Sequence, residues 1–100
     1  MVIKVDPENN EIDALCNLTN FRGLHVLEIG CGDGRLTWRY AGKTEHVTAI
    51  DPFAEGISRA RKNLQDDLRS RVDFHQITFN DFAVVCEPSS FDLVILSWSL

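Results

Sequence analysis

The stretch Val26-Leu27-Glu28-Ile29-Gly30-Cys31-Gly32-Asp33-Gly34-Arg35-Leu36-Thr37 decides the fold. It begins inside the run Leu24-His25-Val26-Leu27-Glu28-Ile29, which reads as a short buried strand. It ends in a segment that reads as a helix from Arg35 to Ala41, with Gly42 as its C-terminal stop. Gly30-Cys31-Gly32-Asp33-Gly34 joins the two. A strand that turns this sharply into a helix needs positive φ or a missing Cβ, and glycine supplies both. The same turn lets a ligand come close to the backbone.

Working outward, Glu45-His46-Val47-Thr48-Ala49-Ile50-Asp51 reads as the second strand. Pro52 suits the first turn of the next helix. Phe53, Ile57, Ala60 and Leu64 form one apolar stripe along that helix. Val72 to Ile77 reads as a third strand, Pro88-Ser89-Ser90 as a turn, and Phe91 to Ser97 as a fourth strand. Upstream, Ile12, Leu15, Cys16 and Thr19 fall at helical spacing in the segment from Glu8 to Asn20. Strands separated by helical segments predict a parallel sheet with right-handed crossovers, an α/β Rossmann-like fold with flanking helices. One hundred residues support one core. The chain is read as a single domain, with an N-terminal helix within residues 1–22 and a Rossmann-like core over 23–100.

Composition excludes several classes of function. Ten basic residues against fifteen acidic ones give a net charge of -5, which argues against a broad nucleic-acid surface. Arg59, Arg61, Lys62, Arg69 and Arg71 cluster, but Asp66 and Asp67 sit among them, as on a solvated helix face. No apolar run approaches the roughly 20 residues that span a bilayer, and the start carries no signal-peptide pattern. No metal site is expected, because Cys16, Cys31, Cys86, His25, His46 and His75 have no ligand spacing. Unpaired cysteines point to a reducing, cytoplasmic setting. Cys31 lies in the turn ahead of a helix start, a setting that lowers a thiol's pKa, so a reactive thiol is the alternative to a packed one.

Asp51 ends the second strand, 21 residues after Gly30. A carboxylate there can accept both hydroxyls of an adenosine ribose. A nicotinamide site wants G-x-G-x-x-G, and here the third position is Arg35. Glu28 stands just before the turn, badly placed for a pyrophosphate and well placed for an ammonium group. The pattern therefore favours a ligand with adenosine at one end and an amino acid at the other, the shape of S-adenosylmethionine. A nicotinamide-dependent oxidoreductase and a non-catalytic interaction module are the competing readings.

These residues carry a resemblance. Val26 to Thr37 resembles the first motif of the class I S-adenosylmethionine-dependent methyltransferases. Val47-Thr48-Ala49-Ile50-Asp51-Pro52 is similar to their second motif, Ser58-Arg59-Ala60-Arg61-Lys62-Asn63 to the helix after it, and Phe91-Asp92-Leu93-Val94 to their fourth-strand motif. The resemblance implies strand order 3-2-1-4, truncated relative to the family's seven-stranded sheet. It implies that Glu28 holds the methionine ammonium, directly or through water. It implies that Gly30, Cys31 and Gly32 line the methionine part through their backbone, and that Asp51 takes the ribose. Pro52 or Phe53 would pack on the adenine face, although Phe53 also suits a core anchor of its helix stripe. The family's adenine-binding Asp falls on Thr78, with Asp81 the nearest carboxylate and the Phe79 N–H within reach of the ring. Ser97 would lie near the reacting end. The catalytic residues and the methyl acceptor are not legible. The fourth strand is expected to leave an apolar edge, covered by a missing C-terminal half or by self-association.

Overall fold

The computed structural model describes residues 2–5, 21–87 and 90–97. The helix expected from Glu8 to Asn20 lies outside them. Five parallel strands form one sheet: β1 (Val2–Val5), β2 (His25–Ile29), β3 (His46–Asp51), β4 (Val72–Gln76) and β5 (Leu93–Ser97). Their spatial order is β1-β5-β2-β3-β4. The four strands expected from the sequence thus stand in the order 3-2-1-4.

The fifth strand was not expected. Val2–Val5 pairs in parallel with β5, in the register Val2↔Val94 to Val5↔Ser97. This corrects the expectation of an open apolar edge beyond the fourth strand, because β1 occupies that edge. Val2-Ile3-Lys4-Val5 is too short to show a period of its own, and only the bare edge of β5 gives it a partner.

The strands alternate between two apolar layers because successive side chains leave a strand on opposite faces. Val26, Val47, Ala49, Val72, Phe74, Leu93 and Ile95 point into one cluster, together with Tyr40, Ile57, Ala60 and Leu64. Leu27 and Ile50 point into the other, with Phe82 and the half-buried Ile29, Ile77 and Val94. Helices α1 (Thr37–Tyr40) and α2 (Ala54–Asn63) therefore cover one face. Helix α3 (Phe79–Val85) covers the other.

Two helices differ from the sequence reading. The first is one turn of α-helix, running on into a 3-10 turn at Ala41–Lys43, rather than a helix from Arg35. Helix α3 was not foreseen, because Phe79-Asn80-Asp81-Phe82-Ala83-Val84-Val85 has weak helical periodicity. Its start is fixed by Thr78, whose hydroxyl oxygen accepts the Asp81 N–H at 3.1 Å.

Gly34 carries the packing between the glycine turn and the first layer. Its φ is +83°, and an added Cβ would lie 3.1 Å from Trp38 Nε1, 3.2 Å from Phe74 Cζ and 3.3 Å from Ala60 Cβ. Gly34→Ala is expected to cost about 2 kcal/mol, from the left-handed backbone and the crowding together. For a domain of this size that lowers the thermal midpoint by roughly 10 °C. A circular dichroism melt in which the midpoint does not move would overturn this account.

Candidate functional site

The site lies where β2, β3 and β4 end and their following loops begin. The turn after β2 places Gly30, Gly32 and Gly34 at φ of 83°, 55° and 83°. The N–H groups of Gly30 and Cys31 both reach the Ile50 carbonyl, at 2.8 and 3.2 Å, so the turn is bolted to the end of β3. Asp51, 4% exposed, adds a second fastening. Its Oδ2 accepts the Gly32 N–H at 3.1 Å, and its Oδ1 accepts the Phe53 N–H at 2.8 Å. The Phe53 bond is an Asx turn that sets the start of α2.

Gly56 closes the arrangement from behind. A Cβ there would meet the Gly32 carbonyl carbon and oxygen, each at 3.2 Å. The sequence reading passed over this glycine. The available signal was a glycine inside an otherwise regular helical pattern, which points to close packing.

Glu28 is fully buried. Its Oε1 accepts the Thr37 hydroxyl at 2.8 Å and the Tyr40 hydroxyl at 2.5 Å. Thr37 and Tyr40 are three residues apart on one turn of α1, so both face the end of β2. Their roles were also missed, because no local pattern ties a helical hydroxyl to a strand carboxylate.

The potential at the turn is negative. Glu28, Asp33 and Asp51 surround Cys31, and Arg35 is bonded to Asp33 at 3.4 Å. The Cys31 thiol reports this field. Burial pushes its pKa well above the ordinary 9.0, and the charges of Glu28 and Asp51 push it further. The alternative reading of Cys31 as a reactive thiol is thereby corrected. Its side chain is 5% exposed and held protonated.

The remaining candidates are spread around the same end of the sheet. Phe53 is 73% exposed, so it is no core anchor, while Ile57, Ala60 and Leu64 make the buried stripe. Pro52 is exposed beside it. Ile77 donates its N–H to the Asp51 carbonyl at 3.1 Å, which brings the loop after β4 alongside. Thr78 and Asp81 are exposed there and engaged with each other in the helix cap. Phe79, the first residue of α3, is 41% exposed beside them. Ser97 ends β5 one residue past Leu96, the register partner of Ile29, and so stands beside the glycine turn. A cavity of about 450 Å³ at the outer edge of β4 is lined by Arg61, His75, Gln76, Ile77, Phe82 and Val85.

The Methyltransferase domain family model matches residues 26–100. A ubiquinone biosynthesis O-methyltransferase of Actinobacillus pleuropneumoniae is 35% identical over 75 residues, covering 72% of this chain and 32% of that protein. Phosphoethanolamine N-methyltransferase 1 of Triticum aestivum is 28% identical over 88 residues, covering 88% of this chain and 18% of that protein. The chain therefore spans a third or less of the length of these curated relatives. Among solved structures, magnesium protoporphyrin IX methyltransferase from Synechocystis with bound SAH superposes with a TM-score of 0.66 at 25% identity, covering 86% of this chain and 38% of that one. Precorrin 8W decarboxylase from Methanobacterium thermoautotrophicum gives 0.72 at 25% identity, covering 90% and 49%.

The protonated state of the buried groups sets an alkaline limit on stability. The folded chain keeps protons on Cys31 and Tyr40 that the unfolded chain gives up near 9.0 and 10.0. Their contribution is complete below pH 9 and is lost as pH rises, by about 1.4 kcal/mol per pH unit for each group. Urea midpoints at pH 8 and pH 10 should fall more for the native sequence than for Cys31→Ala. Equal falls would show that the buried thiol is not the cause.

Proposed function

Since this chain belongs to the class I S-adenosylmethionine-dependent methyltransferase family, whose domain model it matches over residues 26–100, we propose that it is the cofactor-binding part of a methyltransferase. One observation carries the reading: Asp51, a strand-end carboxylate, is bonded to the Gly32 N–H in the glycine turn, 19 residues earlier in the chain. The strand-end acid and the turn are thereby one site. The residues fit the cofactor in charge as well. Glu28, Asp33 and Asp51 make a field that favours a sulfonium and an ammonium and disfavours a pyrophosphate.

The relatives support assignment to the shared cofactor step. One is named for O-methylation in ubiquinone biosynthesis and the other for N-methylation of phosphoethanolamine. Their matches cover 72% and 88% of this chain, so they must overlap, although the names give different acceptors. What they share with this chain is then best read as the part that holds the methyl donor.

S-adenosylmethionine, when bound, supplies a methyl group activated on sulfur. The chain's own residues bind and orient. The backbone of Gly30, Cys31 and Gly32 would line the methionine part, with the buried Glu28 carboxylate beneath the turn. An ionised carboxylate offers about four lone pairs. Asp51 spends two on Gly32 and Phe53, and the rest are available to the ribose hydroxyls. Pro52 and the exposed rings of Phe53 and Phe79 would flank the adenine. Thr78 keeps its hydroxyl hydrogen for the ring while its oxygen caps α3. Ser97, next after Leu96 at the end of β5, would lie toward the reacting end. The gain comes from holding donor and acceptor in register.

Isothermal titration of the purified chain should show micromolar binding of S-adenosylhomocysteine and none of NAD. Asp51→Ala is expected to weaken that binding roughly 10- to 100-fold, for the loss of charge-assisted bonds. The same change frees the Gly32 and Phe53 N–H groups, so the thermal midpoint falls too. Unchanged affinity would remove the ribose role, and binding of NAD alone would remove the methyltransferase reading.

A further inference from the structure

The Glu28 cluster contains more than a cofactor ligand requires. Glu28, Thr37 and Tyr40 are all fully buried, and both hydroxyls converge on a single carboxylate oxygen. The Tyr40 ring is clamped against Phe21, with centroids 5.1 Å apart and planes 18° from parallel. The hydroxyl therefore has a fixed origin, and it spends its hydrogen on Glu28.

Packing alone does not explain this cluster. A carboxylate buried in an apolar layer costs stability that a leucine of similar volume would not. Hydroxyl donors reduce that cost and hold the charge at one place. Glu28 is the next-to-last residue of the strand that leads into the glycine turn, and its charge is felt there. After burial itself, it is the largest influence holding the Cys31 thiol protonated. Tyr40 stays a donor across the working pH range, since burial and the Glu28 charge push its own pKa well above 10.0.

We propose that Tyr40 is a positioning residue for the cofactor's amino-acid end: its hydroxyl, together with that of Thr37, holds the Glu28 carboxylate oriented beneath the glycine turn. This rests on the cofactor reading above and adds a division of labour to it. Asp51 governs the nucleoside end, and the Tyr40–Glu28 pair governs the ammonium end. Tyr40 itself need not touch the ligand.

Two ligands separate the ends. S-adenosylhomocysteine carries the amino acid, whereas 5′-methylthioadenosine keeps the nucleoside and the thioether and lacks it. Tyr40→Phe preserves the ring stack and removes one hydroxyl. By titration calorimetry it should weaken S-adenosylhomocysteine about tenfold and leave methylthioadenosine within about twofold. Thr37→Val, a smaller change on the same oxygen, should shift the same ligand in the same direction. It also serves as the test if Tyr40→Phe does not fold. Unchanged S-adenosylhomocysteine affinity in both variants overturns the proposal. So does an equal loss for both ligands with a lowered melting temperature, which is the signature of a purely structural tyrosine. A native chain that binds neither ligand overturns the cofactor reading itself, an outcome distinct from selective failure of the variants.

Discussion

The Asp51 carboxylate takes the Gly32 N–H on one oxygen and the Phe53 N–H on the other, and the ligand-facing end of the sheet is organised by that pair of bonds. Each bond ties a different element to β3. Through Gly32 it holds the turn that leaves β2, and through Phe53 it sets where α2 begins. Gly56 then brings the first turn of α2 to within contact of the Gly32 carbonyl, a distance a side chain would not allow. The loop is shaped by acceptors and by absent Cβ atoms. It therefore has little freedom left to lose when a ligand arrives, which is the condition for preorganised binding.

The same end of the molecule concentrates negative charge in a place with little water. Glu28 and Asp51 are nearly sealed, and hydroxyl and backbone N–H donors bind their carboxylate oxygens. Carboxylates in that setting stay useful only when hydrogen bonds replace their lost hydration. The glycine turn thus differs in kind from one built for a pyrophosphate, although both use positive-φ glycines ahead of a helix. What separates them is the charge beneath the turn and the identity of the residue at position 35, where arginine stands in place of a third glycine.

The likeness to precorrin 8W decarboxylase and to a magnesium protoporphyrin IX methyltransferase, at TM-scores of 0.72 and 0.66, shows how widely this sheet is shared. Shared architecture carries less than a site does. Here Asp51 meets Gly32 beside the charged cluster, within the residues 26–100 that match the methyltransferase domain.

The parallel sheet, four of its five strands and the pairing of the glycine turn with Asp51 were legible in the sequence, because these depend on local periodicity and on glycine's backbone freedom. Val26, Leu27, Val47 and Ile50 announce their strands without help from distant residues. Tertiary structure decided the rest. Val2–Val5 becomes a strand only because β5 offers an unpaired edge. Phe53 fits the apolar stripe of α2 on paper, yet the helix begins after it, at Ala54, and leaves the ring in solvent. The sealing of Glu28 by Thr37 and Tyr40 joins residues 9 and 12 positions away across two elements. Cys31 looked reactive from its place in the turn, but burial and two carboxylates brought in by the fold hold it protonated. Local pattern specifies which backbone a segment prefers. Which charges end up facing one another without water between them is settled only when the layers close.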